Sequence, residues 1–314
     1  EGGERVVFVS RAANVTSDAT GTAQVVVWER ETDTLEVISK TGGGLANAAC
    51  DTPRISALGN AVVFKTAATN LGYAADGEMN IALARLDNGG LVPVSVADGG
   101  GIANGNSADP SLSSTGRYVC FRSEASNLVS GDANGVSDVF VRDMHTGETA
   151  RASETAAGTG SDTACYTPSI SANGRRVYFR STAGNLVEVD TGGVMSGYVW
   201  TRNDGTRSGG ELVLASHAAD PSQPGSGSTW RGVFSTTGRY LAFASDAANL
   251  VPGDTNGFRD VFIADFGPQG NQAPSPGELN IVMVENSTRT FTLPSTDPEQ
   301  DDLVITITDP PIHG

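Results

Sequence analysis

Two loops of the chain have the residue types and the spacing of a small cation-binding loop. Each follows the pattern Asp-x-Asn-Gly-x-x-Asp, which puts side-chain oxygens at intervals around a glycine turn. Hard oxygen ligands on a tight turn are what Ca²⁺ requires. We therefore predict metal ligation, with Ca²⁺ as the only cofactor, at Asp132, Asn134 and Asp138 and at Asp254, Asn256 and Asp260.

The same loops also have a purely structural interpretation. An Asn-Gly pair favours a tight turn, and aspartate side chains in turns can cap backbone N–H groups. Three further loops at matching places keep fewer of the oxygen ligands: Asp18/Thr20/Gln24, Ala74/Asp76/Asn80 and Asp190/Gly192/Gly197. The sequence leaves both interpretations open.

Catalytic residues cannot be assigned from the sequence. The three histidines, His145, His217 and His313, do not have the spacing of metal ligands. Neither a nucleophile elbow nor a phosphate-binding loop is present. Two carboxylates that converge from different repeats would still permit glycoside cleavage. We therefore predict no catalytic residue and leave enzymatic activity uncertain, with a non-enzymatic protein favoured.

These loops belong to a unit that occurs five times. Its anchor is Phe-x-Ser/Thr-x-x-x-Asn, found at Phe8/Ser10/Asn14, Phe64/Thr66/Asn70, Phe121/Ser123/Asn127, Phe179/Ser181/Asn185 and Phe243/Ser245/Asn249. Each full unit can be divided into four short strands joined by glycine-containing turns, which is how a β-propeller builds a blade. The predicted fold is therefore all-β, a five-bladed propeller of four-stranded antiparallel blades.

Several repeats also resemble a known family. The segments Pro168-Ser-Ile-Ser-Ala-Asn-Gly-Arg-Arg-Val-Tyr-Phe179 and Ser235-Thr-Thr-Gly-Arg-Tyr-Leu-Ala-Phe243 are similar to the TolB-type (WD40-like) propeller repeats of bacterial envelope and secreted proteins. The resemblance covers roughly residues 4–266. It implies the propeller fold and an extracellular or cell-surface location, while such propellers serve many functions.

The chain then divides into a propeller, a linker and a short last segment. The propeller spans residues 1–266, the Pro/Gly-rich linker 267–277 and the last segment 278–314. The last segment resembles the first half of a bacterial cadherin-like or Ig-like module, through motifs such as Glu285-Asn-Ser-Thr288, and this implies a short sandwich-like element. The predicted blades are residues 1–40, 41–96, 97–154, 155–217 and 218–266.

Composition and the strand count decide which partners we expect. A net charge of −16 argues against nucleic acid and against anionic membrane surfaces as partners. No apolar run approaches the roughly 20 residues that a membrane span needs, so we expect no membrane insertion. The first and fifth units each lack one strand, so either residues upstream are missing or another segment supplies strands. In the second case we expect strands from a neighbouring subunit to complete the open edge of the fifth unit and the half module at the end of the chain. The three cysteines are too few for a disulfide scaffold.

These observations predict a secreted or cell-surface bacterial protein with a structural or adhesive function. Its partners would be other proteins, including copies of itself, or extracellular glycan, and strand exchange could build a filament. Two alternatives remain: a propeller glycosidase or lyase that acts on extracellular polysaccharide, and a periplasmic TolB-like module that binds proteins.

Overall fold

The computed structural model describes residues 3–15, 21–42, 44–72, 77–87, 90–202 and 210–267, with two short strands at 275–276 and 295–296. All regular elements in these residues are β-strands, which confirms the all-β prediction. No helix in the described part of the chain is long and apolar enough to cross a membrane. The chain forms two compact units, Glu1–Phe266 and Gly267–Gly314.

The first unit contains five antiparallel sheets that follow each other in chain order. Sheet 1 contains β1 (Arg5–Ser10), β2 (Gln24–Glu29) and β3 (Thr34–Val37). A hairpin of β4 (Lys40–Thr41) and β5 (Gly44–Leu45) connects it to the next sheet. Sheet 2 contains β6 (Cys50–Ile55), β7 (Ala61–Thr66), β8 (Asn80–Arg85) and β9 (Leu91–Pro93).

The other three sheets repeat this order. Sheet 3 contains β10 (Ser107–Leu112), β11 (Tyr118–Ser123), β12 (Asp138–Asp143) and β13 (Thr149–Arg151). Sheet 4 contains β14 (Cys165–Ile170), β15 (Arg176–Ser181), β16 (Ser196–Arg202) and β17 (Gly210–Leu214). Sheet 5 contains β18 (Thr229–Phe234), β19 (Tyr240–Ser245) and β20 (Asp260–Asp265).

We call the four positions of a full sheet the inner, second, third and outer strand, in chain order. Sheets 2, 3 and 4 have all four, paired only with their chain neighbours, as the blade prediction requires. Within the described residues, sheet 1 has no inner strand and sheet 5 has no outer strand. The sheets form an open row, since Val6 on sheet 1 and Val261 on sheet 5 are 48% and 75% exposed. A closed five-bladed ring is therefore not formed.

Apolar side chains between neighbouring sheets form the core. Val63, Ile81 and Leu83 of sheet 2 pack with Val119 and Phe121 of sheet 3, and all five are fully buried. Alternation along the second and third strands directs these side chains to one face. Burial of each of these side chains stabilises the fold by roughly 1.5–3 kcal/mol. Because the side chains are buried between two sheets, the packing of neighbouring sheets stabilises the unit.

The repeated asparagine of the sequence anchor has a structural role. Its side-chain amide donates to a backbone carbonyl at the start of the same repeat in sheets 2 to 5. The Nδ2···O distances are 2.7 Å (Asn70 to Leu45), 3.0 Å (Asn127 to Ile102), 2.8 Å (Asn185 to Gly160) and 3.0 Å (Asn249 to Pro224). This contact closes each of these repeats and explains why the asparagine of the anchor recurs.

The second unit contains a two-stranded pairing of β21 (Ser275–Pro276) and β22 (Ser295–Thr296). The rest of the predicted cadherin-like segment lies outside the described residues, and its sandwich-like fold stays a prediction.

Candidate functional site

The predicted calcium loop of sheet 3 does bring its three residues together, but around an arginine. The Nη1 atom of Arg151, on β13, lies 3.1 Å from Oδ1 of Asp132 and 4.0 Å from Oδ2 of Asp138. Its Nε atom lies 3.2 Å from Oε2 of Glu154. The Arg151 side chain is 3% exposed, and that of Asp138 is fully buried. One guanidinium thus supplies the positive charge that the sequence assigned to a metal ion.

The asparagine of this loop also has turn geometry. The Nδ2 atom of Asn134 donates to Oδ2 of Asp138 at 2.6 Å, while its Oδ1 atom accepts the Val136 N–H at 3.2 Å. The amide therefore presents nitrogen to the carboxylate, and its oxygen is used by the backbone. Burial raises the pKa of Asp138 to about 6, and burial also raises the pKa of Asp132 and of Glu154.

The corresponding loop of sheet 5 has the same turn in a more exposed setting. Asn256 Nδ2 donates to Asp260 Oδ2 at 2.9 Å, and Asn256 Oδ1 accepts the Phe258 N–H at 2.7 Å. Asp254 and Asp260 are half-buried. Among the residues that the structure describes, no group of three or more acidic, histidine or cysteine side chains is arranged for a metal. The contacts favour the turn interpretation, and Ca²⁺ at the six predicted residues stays a prediction.

A different site lies where the inner strands meet. β6, β10, β14 and β18 lie side by side and surround a cavity of about 180 Å³. We call it the central cavity. Its polar lining residues come from all four strands: Thr52, Arg54, Asp109, Ser111, Thr167, Ser169 and Arg231. A cavity between several elements with converging polar groups is the usual form of a ligand site.

Backbone strain marks the same place. Every inner strand has a register irregularity near its start, and in β6, β10 and β14 one residue there is left-handed and precedes a proline. These residues are Thr52 (φ 50°), Asp109 (φ 53°) and Thr167 (φ 49°). The left-handed conformation costs a non-glycine residue roughly 1–2 kcal/mol. Strained residues that cluster in one cavity suggest a function for it.

Positive charge exceeds negative charge in the central cavity. Arg54 and Arg231 are exposed, and neither forms an ion pair with a carboxylate among the described residues. The cavity carboxylate, Asp109, accepts from Nε of Arg122 at 2.7 Å. The lining thus carries two guanidiniums and one carboxylate. Arginine is suited to carboxylate ligands because its planar donors can form two parallel hydrogen bonds.

Two partly exposed aromatic residues lie on the inner strands β14 and β18, each directly before a residue that lines the central cavity. Tyr166 and Trp230 are 38% and 40% exposed. Tyr166 lies opposite Arg180 in the sheet 4 register, and the Arg180 guanidinium carbon is 5.7 Å from the Trp230 ring centroid. Nε of Arg180 also donates to Oγ1 of Thr167 in the cavity wall at 3.0 Å. Arg180 therefore connects the Trp230 ring to the cavity wall.

No residue of the central cavity was predicted from the sequence. The inner strands begin three residues before Pro53, Pro110 and Pro168, and the second of them therefore includes Asp109. The useful signal was Thr/Asp-Pro at the same place in three repeats. His145 and His217 are exposed and do not line the cavity, and His313 lies outside the described residues. All three cysteines are buried and free.

No protein-family model matches the chain, and no curated protein matches its sequence. Similar solved structures include TolB from Acinetobacter baumannii, with 15% identity and a TM-score of 0.44 over 83% of this chain. They also include oligogalacturonate lyase from Vibrio parahaemolyticus, with 15% identity and a TM-score of 0.48 over 84%. A prolyl endopeptidase has 12% identity and a TM-score of 0.48 over 89%. The chain spans 50% of that TolB, 60% of the lyase and 37% of the peptidase.

A TolB protein is thus among the structures similar to this chain, as the repeat sequences led us to expect. Because each TM-score is below 0.5, the fold assignment rests on the sheets of this chain itself. The comparison nevertheless corrects one expectation. The similar structures belong to a lyase, a peptidase and TolB, which contradicts a structural or adhesive protein that assembles into filaments.

Proposed function

We propose that this protein is an exported binding module that holds an acidic oligosaccharide, one with uronic acid residues, in its central cavity. The observation that carries the proposal is the pair of exposed guanidiniums, Arg54 and Arg231, in a cavity wall with a single carboxylate. The location outside the cytoplasm follows the expectation from the TolB-type repeats and is part of the proposal.

The charge contrast between the site and the whole molecule supports an anionic ligand. The chain carries a net charge of −16, so a general acidic surface would repel such a ligand. The central cavity is an exception, because its lining contains Arg54 and Arg231 and a single carboxylate, Asp109. A carboxylate bound by an arginine pair gains charge-assisted hydrogen bonds of about 1.5–3 kcal/mol each.

The remaining lining supports a sugar rather than a simple anion. Hydroxyl groups of Thr52, Ser111, Thr167 and Ser169 can exchange hydrogen bonds with ring hydroxyls. Tyr166, which is 38% exposed, presents a ring beside the cavity against which the C–H face of a pyranose could pack, whereas the Arg259 guanidinium carbon lies 3.9 Å from the Trp230 ring centroid and covers one face of that ring. The guanidiniums, the hydroxyls and the Tyr166 ring together fit a linear acidic oligosaccharide.

Binding can be tested by calorimetric titration with oligomers of galacturonic acid and with their methyl esters. The ester removes the negative charge and keeps the sugar, so it should bind much more weakly. The double variant Arg54→Met/Arg231→Met should lose at least about tenfold in affinity, since two charge-assisted contacts are removed. Arg239→Met is the matched control, because Arg239 is exposed and pairs with Asp265 away from the cavity.

Three outcomes would contradict the proposal: no binding of the acid form, equal binding of acid and ester, or an unchanged affinity in the double variant. A preference for acidic peptides over the sugars would instead favour the alternative of a TolB-like module that binds proteins.

Cleavage of the same ligand is the second candidate function, and Asp109 is the observation that favours it. A carboxylate held by Arg122 inside a cationic cavity could act on a bound uronate. A lyase would release products with a new conjugated double bond, which absorb ultraviolet light, and a hydrolase would release only reducing ends. Asp109→Asn should then abolish turnover and keep binding. Binding of the oligosaccharide without release of products would contradict cleavage and would support the binding function only.

A further inference from the structure

The outward edge of β20 has no strand partner among the described residues. β20 pairs with β19 on one side, through Ala244↔Val261 and Phe243↔Phe262. In the other four sheets the third strand is paired on its outward side with an outer strand. A free edge presents a row of backbone donors and acceptors that can pair with an extended peptide.

The other sheets show which contacts an outer strand makes at this edge. In each of these four sheets a buried serine lies two residues after the end of the outer strand. Its hydroxyl accepts a hydrogen bond from the backbone N–H of the second residue of the third strand. The N···Oγ distances are 3.0 Å (Val25 to Ser39), 3.0 Å (Ile81 to Ser95), 2.9 Å (Val139 to Ser153) and 2.9 Å (Gly197 to Ser216).

Sheet 5 keeps the third-strand half of this arrangement, which consists of the backbone N–H and the side chain that precedes it. The pairing Ala244↔Val261 corresponds to Arg180↔Gly197 of sheet 4, so the Val261 N–H also points away from the second strand. The preceding side chain, Asp260, occupies the place of Asp138, which accepts the Ser153 hydroxyl. Among the described residues, no serine hydroxyl is hydrogen-bonded to the Val261 N–H or to the Asp260 carboxylate.

An apolar groove lies along the same edge. A cavity of about 760 Å³ is bounded by β17, by residues 187–189 and by β20. Phe243, Phe262 and Phe266 form one wall, and Val187 and Val213 belong to the other. In the complete sheets the outer strand directs alternate residues toward the preceding sheet, as Leu214 does within its apolar core cluster. The groove has the position that such side chains would fill.

The sequences of the outer strands define the ligand that fits. They read Leu35-Glu-Val-Ile-Ser39, Leu91-Val-Pro-Val-Ser95, Thr149-Ala-Arg-Ala-Ser153 and Leu212-Val-Leu-Ala-Ser216. Three of the four share Leu-x-x-x-Ser, with an apolar residue two positions after the leucine. The two apolar positions are on one face, and the serine follows two residues later.

We propose that the outward edge of β20 is a docking site for an extended peptide strand of another protein, with the pattern Leu-x-Leu/Val-x-Ser. The strand pairs with β20, its two apolar side chains enter the Phe262 groove, and its serine hydroxyl accepts the Val261 N–H. Recognition combines main-chain pairing for affinity with side-chain pockets for specificity. The inference is independent of ligand binding in the central cavity.

A peptide that copies Gly210–Ser216 is the probe, and fluorescence anisotropy of the labelled peptide against the full chain measures binding. Val261→Pro should weaken binding by at least about tenfold, because it removes the N–H that meets the serine hydroxyl. Proline is tolerated on the outward side of an edge strand, so β20 should still pair with β19. Val261→Ala is the matched control, since it keeps the N–H, and it should bind normally.

Peptide variants test the side-chain part of the proposal. Replacement of the serine by alanine should weaken binding severalfold, and replacement of both leucines by aspartate should abolish it. The proposal is overturned if the parent peptide does not bind, or if Val261→Pro and Val261→Ala bind it equally well.

The edge of β20 could instead be occupied by the chain's own residues or by a second copy of the chain, and each case gives a different experimental result. Slow hydrogen exchange at the Val261 amide in the peptide-free chain would assign the edge to the chain's own residues. A concentration-dependent dimer that Val261→Pro dissociates would assign it to a second copy. Either result would overturn a strand from another protein as the occupant.

Discussion

At Arg151, a single guanidinium balances the carboxylates of Asp132, Asp138 and Glu154 inside the protein. Removal of one partner from a buried ionic group costs about 3–5 kcal/mol, because the remaining charges lose their compensation. We expect Arg151→Met to lower the free energy of unfolding by this amount in urea denaturation. Arg239→Met, which removes an exposed ion pair, is the control and should have a far smaller effect. Equal losses of unfolding free energy in the two variants would contradict a stabilising role for the buried charges around Arg151.

The pKa of Asp138 predicts how stability changes with pH. Its folded value of about 6 lies above the ordinary value of 3.8, so the folded state binds this proton more tightly than the unfolded chain. The stabilising effect of protonation is present below about pH 4 and is lost as pH rises through 6. The loss amounts to at most about 3 kcal/mol, at 1.36 kcal/mol for each pKa unit.

Asp138→Asn should remove this pH dependence. The asparagine keeps a hydrogen-bond acceptor for Ser153 and cannot ionise. Between pH 4 and pH 7 the variant should therefore gain stability relative to the parent protein, as measured by urea denaturation at several pH values. A difference between the two proteins that does not change with pH would contradict the assignment of the raised pKa to Asp138.

The calcium prediction is also tested at the scale of single residues. A site in the Asp254 loop requires that Ca²⁺ raise the melting temperature of the parent protein and that a chelator reverse the effect. Asp260→Asn should abolish the response, because it removes a negatively charged ligand. A melting temperature that does not respond to either reagent would support the turn interpretation for both loops.

At the scale of elements, the glycine turns between inner and second strands are not equivalent. Gly59 and Gly174 occupy the same turn with φ of 68° and 74°, so alanine is strained at both. A Cβ on Gly174 would lie 2.2 Å from Cδ2 of Tyr118 in sheet 3, whereas at Gly59 the nearest atom is 3.8 Å away. The turn of sheet 4 thus packs directly against its neighbour.

Alanine substitution separates the two costs. Gly59→Ala should lose about 1–2 kcal/mol of stability from the left-handed backbone alone. Gly174→Ala should lose a further 1–3 kcal/mol, roughly, from overpacking against Tyr118. Chemical denaturation of both variants measures the difference, and equal losses would show that the contact between sheets 3 and 4 is looser than described.

At the scale of the whole molecule, the open row leaves equivalent residues in opposite environments. Val139 and Val261 are both the second residue of a third strand, but Val139 is fully buried between sheets and Val261 is 75% exposed. A valine-to-threonine change keeps the shape of the side chain and replaces one methyl group by a hydroxyl. It costs about 1–3 kcal/mol where the hydroxyl is buried without a partner and stays within ~0.5 kcal/mol on the surface.

The matched pair Val139→Thr and Val261→Thr therefore tests the open row. Only the first should lower the midpoint of thermal unfolding. A comparable loss in Val261→Thr would mean that sheet 5 is covered in solution, either by closure of the row or by another strand-forming segment.

Local patterns were enough to predict the repeated sheets. The recurring Phe and Asn of the anchor, together with alternating apolar residues, indicated where the second and third strands lie, because both signals depend on neighbours along the chain. The central cavity was less accessible. Asp109 was missed because the strand begins at Ser107, before the proline, and contains an irregularity that breaks the simple alternation.

The calcium-type loops mark the boundary between local and tertiary information most clearly. Asp132, Asn134 and Asp138 are close in the chain, so their spacing alone determined that they would meet around a turn. Arg151 comes from a different strand, and only the pairing of β12 with β13 places its guanidinium against the carboxylates. Sequence thus decided which oxygens gather, through short-range geometry, and tertiary structure decided which cation they face, because strand pairing alone brings distant charges together.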